Sequence, residues 1–287
     1  MSNETHTPYY VPEASYWPIV GSFGLLGLGL GAAGYLQGLA WGMPVLLLGA
    51  AVTVVMTVGW FADVIRERAA GLYSPQMARS FRWGMIWFIF SEVMFFAAFF
   101  GALFYVRVFA VPWLGGEDPA TSRFLWDGVV LSWPTAGPGF LDLDFTPMAA
   151  WGLPAVNTLI LLTSGVTLAV AHHAMRHGRQ GRVLVFLAAT IVLGALFLGI
   201  QIYEYGHAWR DLGLRPDTGI YGALFYMLTG FHGLHVWIGV IMLAVMLVRV
   251  WAGHFTAGRH FGFEAAAWYW HFVDVVWLGL FLFVYVL

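Results

Sequence analysis

Residues 260–278 read HFGFEAAAWYWHFVDVVWL, an almost wholly apolar stretch that nevertheless carries carboxylates and imidazoles. In a helix, Glu264 and His271 fall on one face, and Asp274 lies one turn beyond His271. A carboxylate or imidazole inside a bilayer is tolerated only where it faces protein or water and has a partner. The stretch therefore predicts a membrane helix whose buried polar stripe, formed by Glu264, His271 and Asp274, packs against another segment of protein.

The composition of the whole chain also indicates a membrane protein. Of its 287 residues, 60% are hydrophobic and 10% are charged, whereas a soluble domain carries roughly 25% charged residues. Cysteine is absent, which excludes disulfides and thiolate metal sites. Lysine is absent too, which excludes a retinal Schiff base. The net charge of −2 argues against a nucleic-acid partner.

Seven apolar runs are long enough to cross a bilayer, which takes about 20 residues each. They must be helices, because an open sheet cannot satisfy its edges in lipid. Residues 108–150 form the one long loop, and it contains no phosphate-binding or catalytic pattern. We predict a single all-α membrane domain over residues 1–287, with helices one and two within 17–63 and helices three to seven within 83–287. The runs cover about 17–38, 42–63, 83–107, 151–172, 183–205, 220–248 and 266–287.

The distribution of arginine predicts the orientation of these helices. The N-terminal segment and the loops after helices two, four and six hold nine arginines, and the opposite side holds four. Loops rich in basic residues stay in the cytoplasm. We therefore expect a cytoplasmic N-terminus and a C-terminus on the other side. Residues 1–16 are polar and acidic and have neither the basic start of a signal peptide nor the arginine of a transit peptide.

Glu92 lies about ten residues inside the third apolar run, near the middle of the membrane. An ionised carboxylate there is costly, so we expect a neutral, hydrogen-bonded acid. Two roles fit this position: a proton relay, or a hydrogen bond between helices. A proton-coupled transporter that uses Glu92, Glu264 and Asp274 is an alternative function, although the chain has no inverted repeat or broken helices to support it.

Several histidines invite a metal or heme interpretation. His172 and His173 are adjacent and therefore point to different faces, whereas His173 and His177 share one face. His232 and His235 are three residues apart and can also share a face. These patterns favour a polar helix end and hydrogen bonds between helices. A membrane redox protein that binds heme or quinone through His172, His173, His232 or His235 remains an alternative.

Several motifs, in this order along the chain, resemble subunit III of the cytochrome c oxidases, in particular the bacterial aa3-type heme–copper oxidases. They include Asp63-Val-Ile-Arg-Glu67, Phe88-x-x-Ser91-Glu92-Val93, Thr229-Gly-Phe-His-Gly-Leu-His235 and the stretch 260–278. The resemblance covers nearly the whole chain. It implies seven helices, divided into a two-helix and a five-helix bundle by a V-shaped cleft that holds structural phospholipids.

The same resemblance implies a function and a location. The chain would be a non-catalytic core subunit of a proton-pumping oxidase in the bacterial inner (plasma) membrane, with a periplasmic C-terminus. It would bind no heme or copper, since partner subunits carry both. It would pack mainly against subunit I, in a complex that also contains subunit II, and would support proton uptake and slow inactivation during turnover. Subunit III of a quinol oxidase is an alternative, although the first two helices and the long loop favour the cytochrome c type.

The resemblance also assigns roles to individual residues. Glu92 matches the buried carboxylate of the family's third helix. Phe61 and Ala62 depart from the family, in which Trp and Arg are frequent at these positions, so contacts there are not implied. The implied phospholipid contacts are Trp60, Glu67, Arg82, Phe88, Arg249, His254 and Thr256.

Overall fold

The computed structural model describes residues 14–287, apart from the side chain of Ser122. The N-terminal segment predicted to be cytoplasmic lies mostly outside this range. The described chain falls into two compact units, of which the first ends at Trp83 and the second runs from Gly84 to Leu287.

The described residues form eight α-helices, and all except the short α4 are long and apolar enough to cross a membrane. The predicted all-α fold with seven membrane-spanning helices is therefore confirmed. Short π-helical segments extend α3, through Val106–Ala110 and Trp113–Glu117, and α8, through Phe281–Val286. The helices are α1 (Trp17–Leu36), α2 (Gly42–Ala69), α3 (Pro75–Tyr105), α4 (Pro119–Leu125), α5 (Leu153–Arg176), α6 (Gln180–Arg210), α7 (Gly219–Trp251) and α8 (Phe261–Leu280).

The third helix differs most from its predicted range of 83–107. It begins at Pro75, where the hydroxyl of Ser74 accepts a hydrogen bond from the N–H of Met77 at 3.3 Å. A serine before the helix and a proline in its first turn are favourable start signals. At the other end, helical turns continue to Glu117, so the loop begins later than the predicted 108. The predicted range therefore left out the polar first turns of α3 and the mostly apolar helical turns that follow Tyr105.

In the first unit, α1 and α2 form a tight hairpin. A Cβ added to Gly31 would lie 2.2 Å from the backbone nitrogen of Leu46, so only glycine permits this approach. Gly38 makes the turn with φ of +72°, which glycine adopts without strain. At the open end of the hairpin, the indole N–H of Trp17 donates to Asp63 Oδ2 at 2.7 Å.

In the second unit, α8 is the helix that lies deepest in the core. Its Trp270 and Trp277 are fully buried, and α5 and α7 both pack against it. The ring of Trp270 fits beside two glycines, Gly194 of α6 and Gly239 of α7, where added Cβ atoms would lie 2.5 and 2.8 Å from the indole. The α5–α8 bundle is thus assembled around the indole rings of α8.

The loop after α3 contains the short helix α4, which Asp118 caps. The carboxylate of Asp118 accepts hydrogen bonds from the side-chain hydroxyl of Thr121 and from its backbone N–H. These bonds, the hydroxyl bond first, favour the charged form and hold the pKa of Asp118 below its usual value. Asp118 therefore has a capping role in the loop, for which the sequence predicted no chemistry.

We predict that Gly31→Ala destabilises the chain by about 1–3 kcal/mol, because the new methyl group overlaps the backbone of Leu46. Gly29→Ala is the matched control in the same helix, since a Cβ at Gly29 meets no atom within 4 Å. The measurement is the thermal unfolding midpoint of the purified full-length chain in a mild detergent. Equal midpoints for the two variants would contradict the close approach of α1 and α2.

Candidate functional site

The central polar contact of the second unit joins α3 to α7. Glu92 Oε2 lies 2.8 Å from His235 Nε2, and the second ring nitrogen of His235, Nδ1, lies 2.6 Å from the carbonyl oxygen of Phe231. The side chain of Glu92 is 22% exposed and that of His235 is 10% exposed. Glu92 therefore has a hydrogen-bond partner inside the bundle.

This geometry limits where protons can reside. The carbonyl oxygen of Phe231 only accepts, so His235 Nδ1 carries a proton and donates it. Two arrangements then complete the contact with Glu92: a neutral acid that donates to His235 Nε2, or a carboxylate that accepts from an imidazolium. In both arrangements, one proton lies between Glu92 Oε2 and His235 Nε2.

Aromatic rings enclose His235 in this pair. The ring of Phe96 lies edge-on to the imidazole at a centroid distance of 5.0 Å, and that of Tyr269 stacks on it at 6.3 Å. The Tyr269 hydroxyl donates to the backbone carbonyl of His235 at 3.3 Å. Phe88, one turn before Glu92, stacks in turn on Tyr269 at 6.2 Å. This shell limits the access of water and makes the pairing of the two side chains more favourable.

Two indole N–H groups attach α8 to α5. Trp270 Nε1 donates to Ser164 Oγ, and Trp277 Nε1 donates to Thr158 Oγ1, both at 2.9 Å. A buried indole N–H without an acceptor would cost about 1–3 kcal/mol. The two tryptophans are two helical turns apart, and their acceptors are about as far apart on α5, so the bonds fix both the rotation and the level of α8.

The predicted polar stripe of α8 is divided between two environments. Asp274 is buried, with Oδ2 only 2.4 Å from the position that a Cβ of Gly165 would occupy, and it pairs with His271 Nδ1 at 3.3 Å. The side chain of His271 is 45% exposed, and Glu264 is half-buried. Asp274 is therefore the one member of the predicted stripe that is buried within this chain. The face of α8 that turns into the core is the one that carries Trp270 and Trp277.

The structure separates the histidines that suggested a heme or quinone site. His232 is fully buried and contacts the carbonyl oxygen of Val273 on α8 at 3.2 Å, whereas His235 points to Glu92. His172 and His173 lie at the end of α5, where the ring of His172 is 5.7 Å from that of His260. Within residues 14–287, no group of three or more His, Asp or Glu side chains is placed to hold a metal ion.

Three of the implied phospholipid contacts lie in the first unit. Trp60 is 52% exposed and stacks on Phe61, as expected for an indole at the membrane surface. Glu67 accepts a 2.7 Å hydrogen bond from the Tyr73 hydroxyl, so its carboxylate is already engaged within the chain. Arg82 is partly buried and comes directly before the apolar part of α3.

The other four lie in the second unit. The guanidinium of Arg249 packs over the ring of Phe255 at 4.4 Å from its centroid. Thr256 pairs through its backbone with Arg259, and His254 and Thr256 are both exposed between α7 and α8. Phe88 is also exposed, although it stacks on Tyr269. Each of these side chains thus has some surface at which a lipid could be contacted.

Sequence reasoning missed the polar groups on the inner face of α6. Glu204 is 2% exposed, and neither of its carboxyl oxygens has a hydrogen-bond partner among the described residues. Gln201, one turn earlier, is 3% exposed and has an unpaired Oε1. The signal in the sequence was their spacing, because Phe197, Gln201, Glu204 and Ala208 recur at helical intervals and all are buried.

We predict that Glu92→Gln retains the stability of the chain, because a glutamine amide can donate to His235 Nε2 from the same position. Glu92→Ala should cost about 1–3 kcal/mol, because it leaves the imidazole nitrogen without its partner. Ser91→Ala is the control, since the Ser91 hydroxyl bonds only within α3, to the carbonyl oxygen of Phe88. Thermal unfolding midpoints in detergent provide the test, and a loss for Glu92→Gln as large as that for Glu92→Ala would contradict it.

Comparison with known proteins identifies the family. The family model described as "Cytochrome c oxidase subunit III" matches residues 6–124 and 126–287. The chain is 40% identical to cytochrome c oxidase subunit 3 of Lumbricus terrestris over 279 residues, which cover 97% of each chain. It is also 40% identical to that of Marchantia polymorpha and 38% identical to that of Danio rerio, over 99% of this chain and 98% of each relative. With seven membrane-spanning helices and matches along its whole length, the chain belongs to the cytochrome c oxidase subunit III family.

Proposed function

We propose that this chain is the non-catalytic core subunit III of a proton-pumping cytochrome c oxidase. The observation that carries the proposal is the full-length similarity to proteins named as this subunit. In this proposal the chain packs mainly against subunit I, subunit II is part of the complex, and heme and copper reside on those partners.

A role in proton uptake is the second part of the proposal. The supporting observation is the 2.8 Å contact of Glu92 with His235, which joins α3 to α7. A pair of this kind can exchange a proton without leaving a net buried charge. We propose that it supports proton uptake into subunit I and slows inactivation during turnover.

Binding of structural phospholipids is the third part. The candidate contacts include arginines that suit a phosphate, since the planar guanidinium can bind it through two N–H groups. They also include an exposed indole, Trp60, that suits the depth of the headgroups. We further propose that the chain lies in the bacterial inner membrane as part of an aa3-type oxidase. The arginine distribution supports its orientation, with a cytoplasmic N-terminus and a periplasmic C-terminus.

The proposal as a whole predicts that the chain co-purifies with oxidase activity. A pull-down from the native membrane in mild detergent should bring down heme and copper and an activity that consumes oxygen with reduced cytochrome c as donor. After dissociation, no heme should stay on this chain. Activity with a quinol but not with cytochrome c would identify the quinol-oxidase alternative. A Soret band on the isolated chain would overturn the accessory role.

The lipid part predicts that Arg82→Gln lowers the number of phospholipids retained by the purified complex, because it removes a guanidinium that can hold a phosphate. Arg79→Gln is the charge-matched control, one turn earlier on α3 and exposed. Native mass spectrometry of the intact complex counts the retained lipids. The same count in both variants and in the unmodified complex would remove Arg82 from the lipid site.

A further inference from the structure

The outer face of α8 carries an ionisable side chain that the described residues cover only in part. The side chain of His271 is 45% exposed. Val275 and Leu278 follow it on the same face at helical spacing, and they are 68% and 42% exposed. We call the surface formed by His271, Val275 and Leu278 the outer α8 face. The sequence predicts that the polar stripe of α8 packs against protein, yet residues 14–287 leave His271 open on this side.

The depth of His271 in the bilayer decides what can contact this face. Together, α8 and its π-helical continuation run from Phe261 to Val286, over 26 residues. At 1.5 Å per residue this segment is about 39 Å long, whereas the hydrocarbon core of a bilayer is about 30 Å thick. His271 lies about 15 Å from Phe261 along the axis, and therefore within about 5 Å of the middle of a centred helix. An imidazole exposed to acyl chains at this depth is costly, because they offer it no hydrogen bond.

One edge of the imidazole is already occupied within the chain. His271 Nδ1 lies 3.3 Å from Asp274 Oδ2, and Asp274 is buried beside Gly165 of α5. Among the described residues, no side chain or backbone group forms a hydrogen bond with the other ring nitrogen, Nε2. Nε2 is also not among the unpartnered polar atoms that the chain encloses, so a group on a neighbouring helix can reach it.

The hydrogen bond between His271 and Asp274 determines whether Nε2 donates or accepts. If an imidazolium faces a carboxylate, or if a neutral acid donates to Nδ1, the pair has no net charge and Nε2 carries a hydrogen atom. Nε2 would be an acceptor only if a neutral imidazole carried its hydrogen on Nδ1. Asp274 would then be a carboxylate with a net charge in hydrocarbon, or an acid with its hydrogen on Oδ1, which is enclosed and has no partner among the described residues. Both are costly, so Nε2 presents a donor on the outer α8 face.

We infer that the outer α8 face is the docking surface for a transmembrane helix of another oxidase subunit, and that this helix presents a side-chain hydrogen-bond acceptor to His271 Nε2. Lipid cannot complete the site, because its acyl chains have no acceptor and its polar groups lie at the edges of the hydrocarbon. A protein segment at this depth is helical, since its backbone groups must be paired internally. Its acceptor is therefore a side chain, namely Asp, Glu, Asn, Gln, Ser, Thr or Tyr, and its neighbours opposite Val275 and Leu278 are apolar. The inference rests on the proposed function, to which it adds the face and the chemistry of the contact.

The test is site-specific photo-crosslinking in the complex purified in mild detergent. A benzophenone amino acid in place of Val275, one turn beyond His271, should form an adduct with another subunit. Mass spectrometry should locate this adduct on a transmembrane peptide that has a side-chain acceptor within one turn of the crosslinked residue. An adduct with lipid alone, with a segment of this same chain, or with a peptide that lacks such an acceptor would overturn the inference.

Two replacements of His271 test the hydrogen bond itself. His271→Gln places an amide nitrogen near the position of Nε2, so the Val275 adduct should keep at least half of its yield. His271→Asn places its amide near the position of Nδ1, which retains a partner for Asp274 but no outward donor, so the yield should fall at least threefold. Thr163→Val is the control and should leave the yield unchanged, because the exposed Thr163 hydroxyl bonds within α5, to the carbonyl oxygen of Leu159. Equal yields from the Gln and Asn variants would overturn the role of His271 as the donor.

Heme content and oxidase activity, measured on the same preparation, separate this inference from the proposed function. A complex that has heme and activity but gives no protein adduct at Val275 would overturn the docking surface and leave the function standing. A protein adduct in a preparation without heme or oxidase activity would overturn the function and retain the contact of the outer α8 face with a transmembrane helix.

Discussion

A donor buried in hydrocarbon must find an acceptor, and the second unit is arranged around two such donors. The indoles of Trp270 and Trp277 are fully buried and reach Ser164 and Thr158 on α5. Because these bonds have direction, they determine which face of α8 turns inward and how far along α5 it lies. The same rotation carries Asp274 into the core against Gly165. The hydrogen bonds of the two indoles thus also determine how deeply the polar side chains of α8 are buried.

A buried carboxyl group also needs a hydrogen-bond partner, and two glutamates of the membrane helices differ in whether they have one. Glu92 meets His235, whose other nitrogen is engaged by a backbone carbonyl, so the pair is complete and holds one shared proton. Glu204 is even more deeply buried but has no partner among residues 14–287. A carboxylate in that environment is costly. Within the described residues, Glu204 therefore lacks the kind of partner that Glu92 has in His235.

Glycine serves two different purposes in the bundle. Gly194 and Gly239 leave room that the chain fills itself, with the indole of Trp270. Gly230 and Gly233 lie against polar side chains of α6, since added Cβ atoms would come 3.7 Å from the Tyr205 hydroxyl and 3.0 Å from Gln201 Oε1. The first arrangement accommodates an aromatic ring, and the second brings α6 close enough to α7 for Gln201 Nε2 to donate to the carbonyl oxygen of Thr229.

The sequence by itself determined the fold class, the seven spans and the presence of a carboxylate within the third span, because hydropathy is a property of the local sequence and burial of apolar side chains contributes a large free energy. It did not determine that α3 begins at Pro75, because the polar first turns of that helix carry no hydropathy signal. Only the tertiary structure decided that Glu92 pairs with His235, that the α8 stripe is divided, and that Glu204 is buried. Each of these depends on how helices distant in sequence are rotated against one another, and packing sets that rotation.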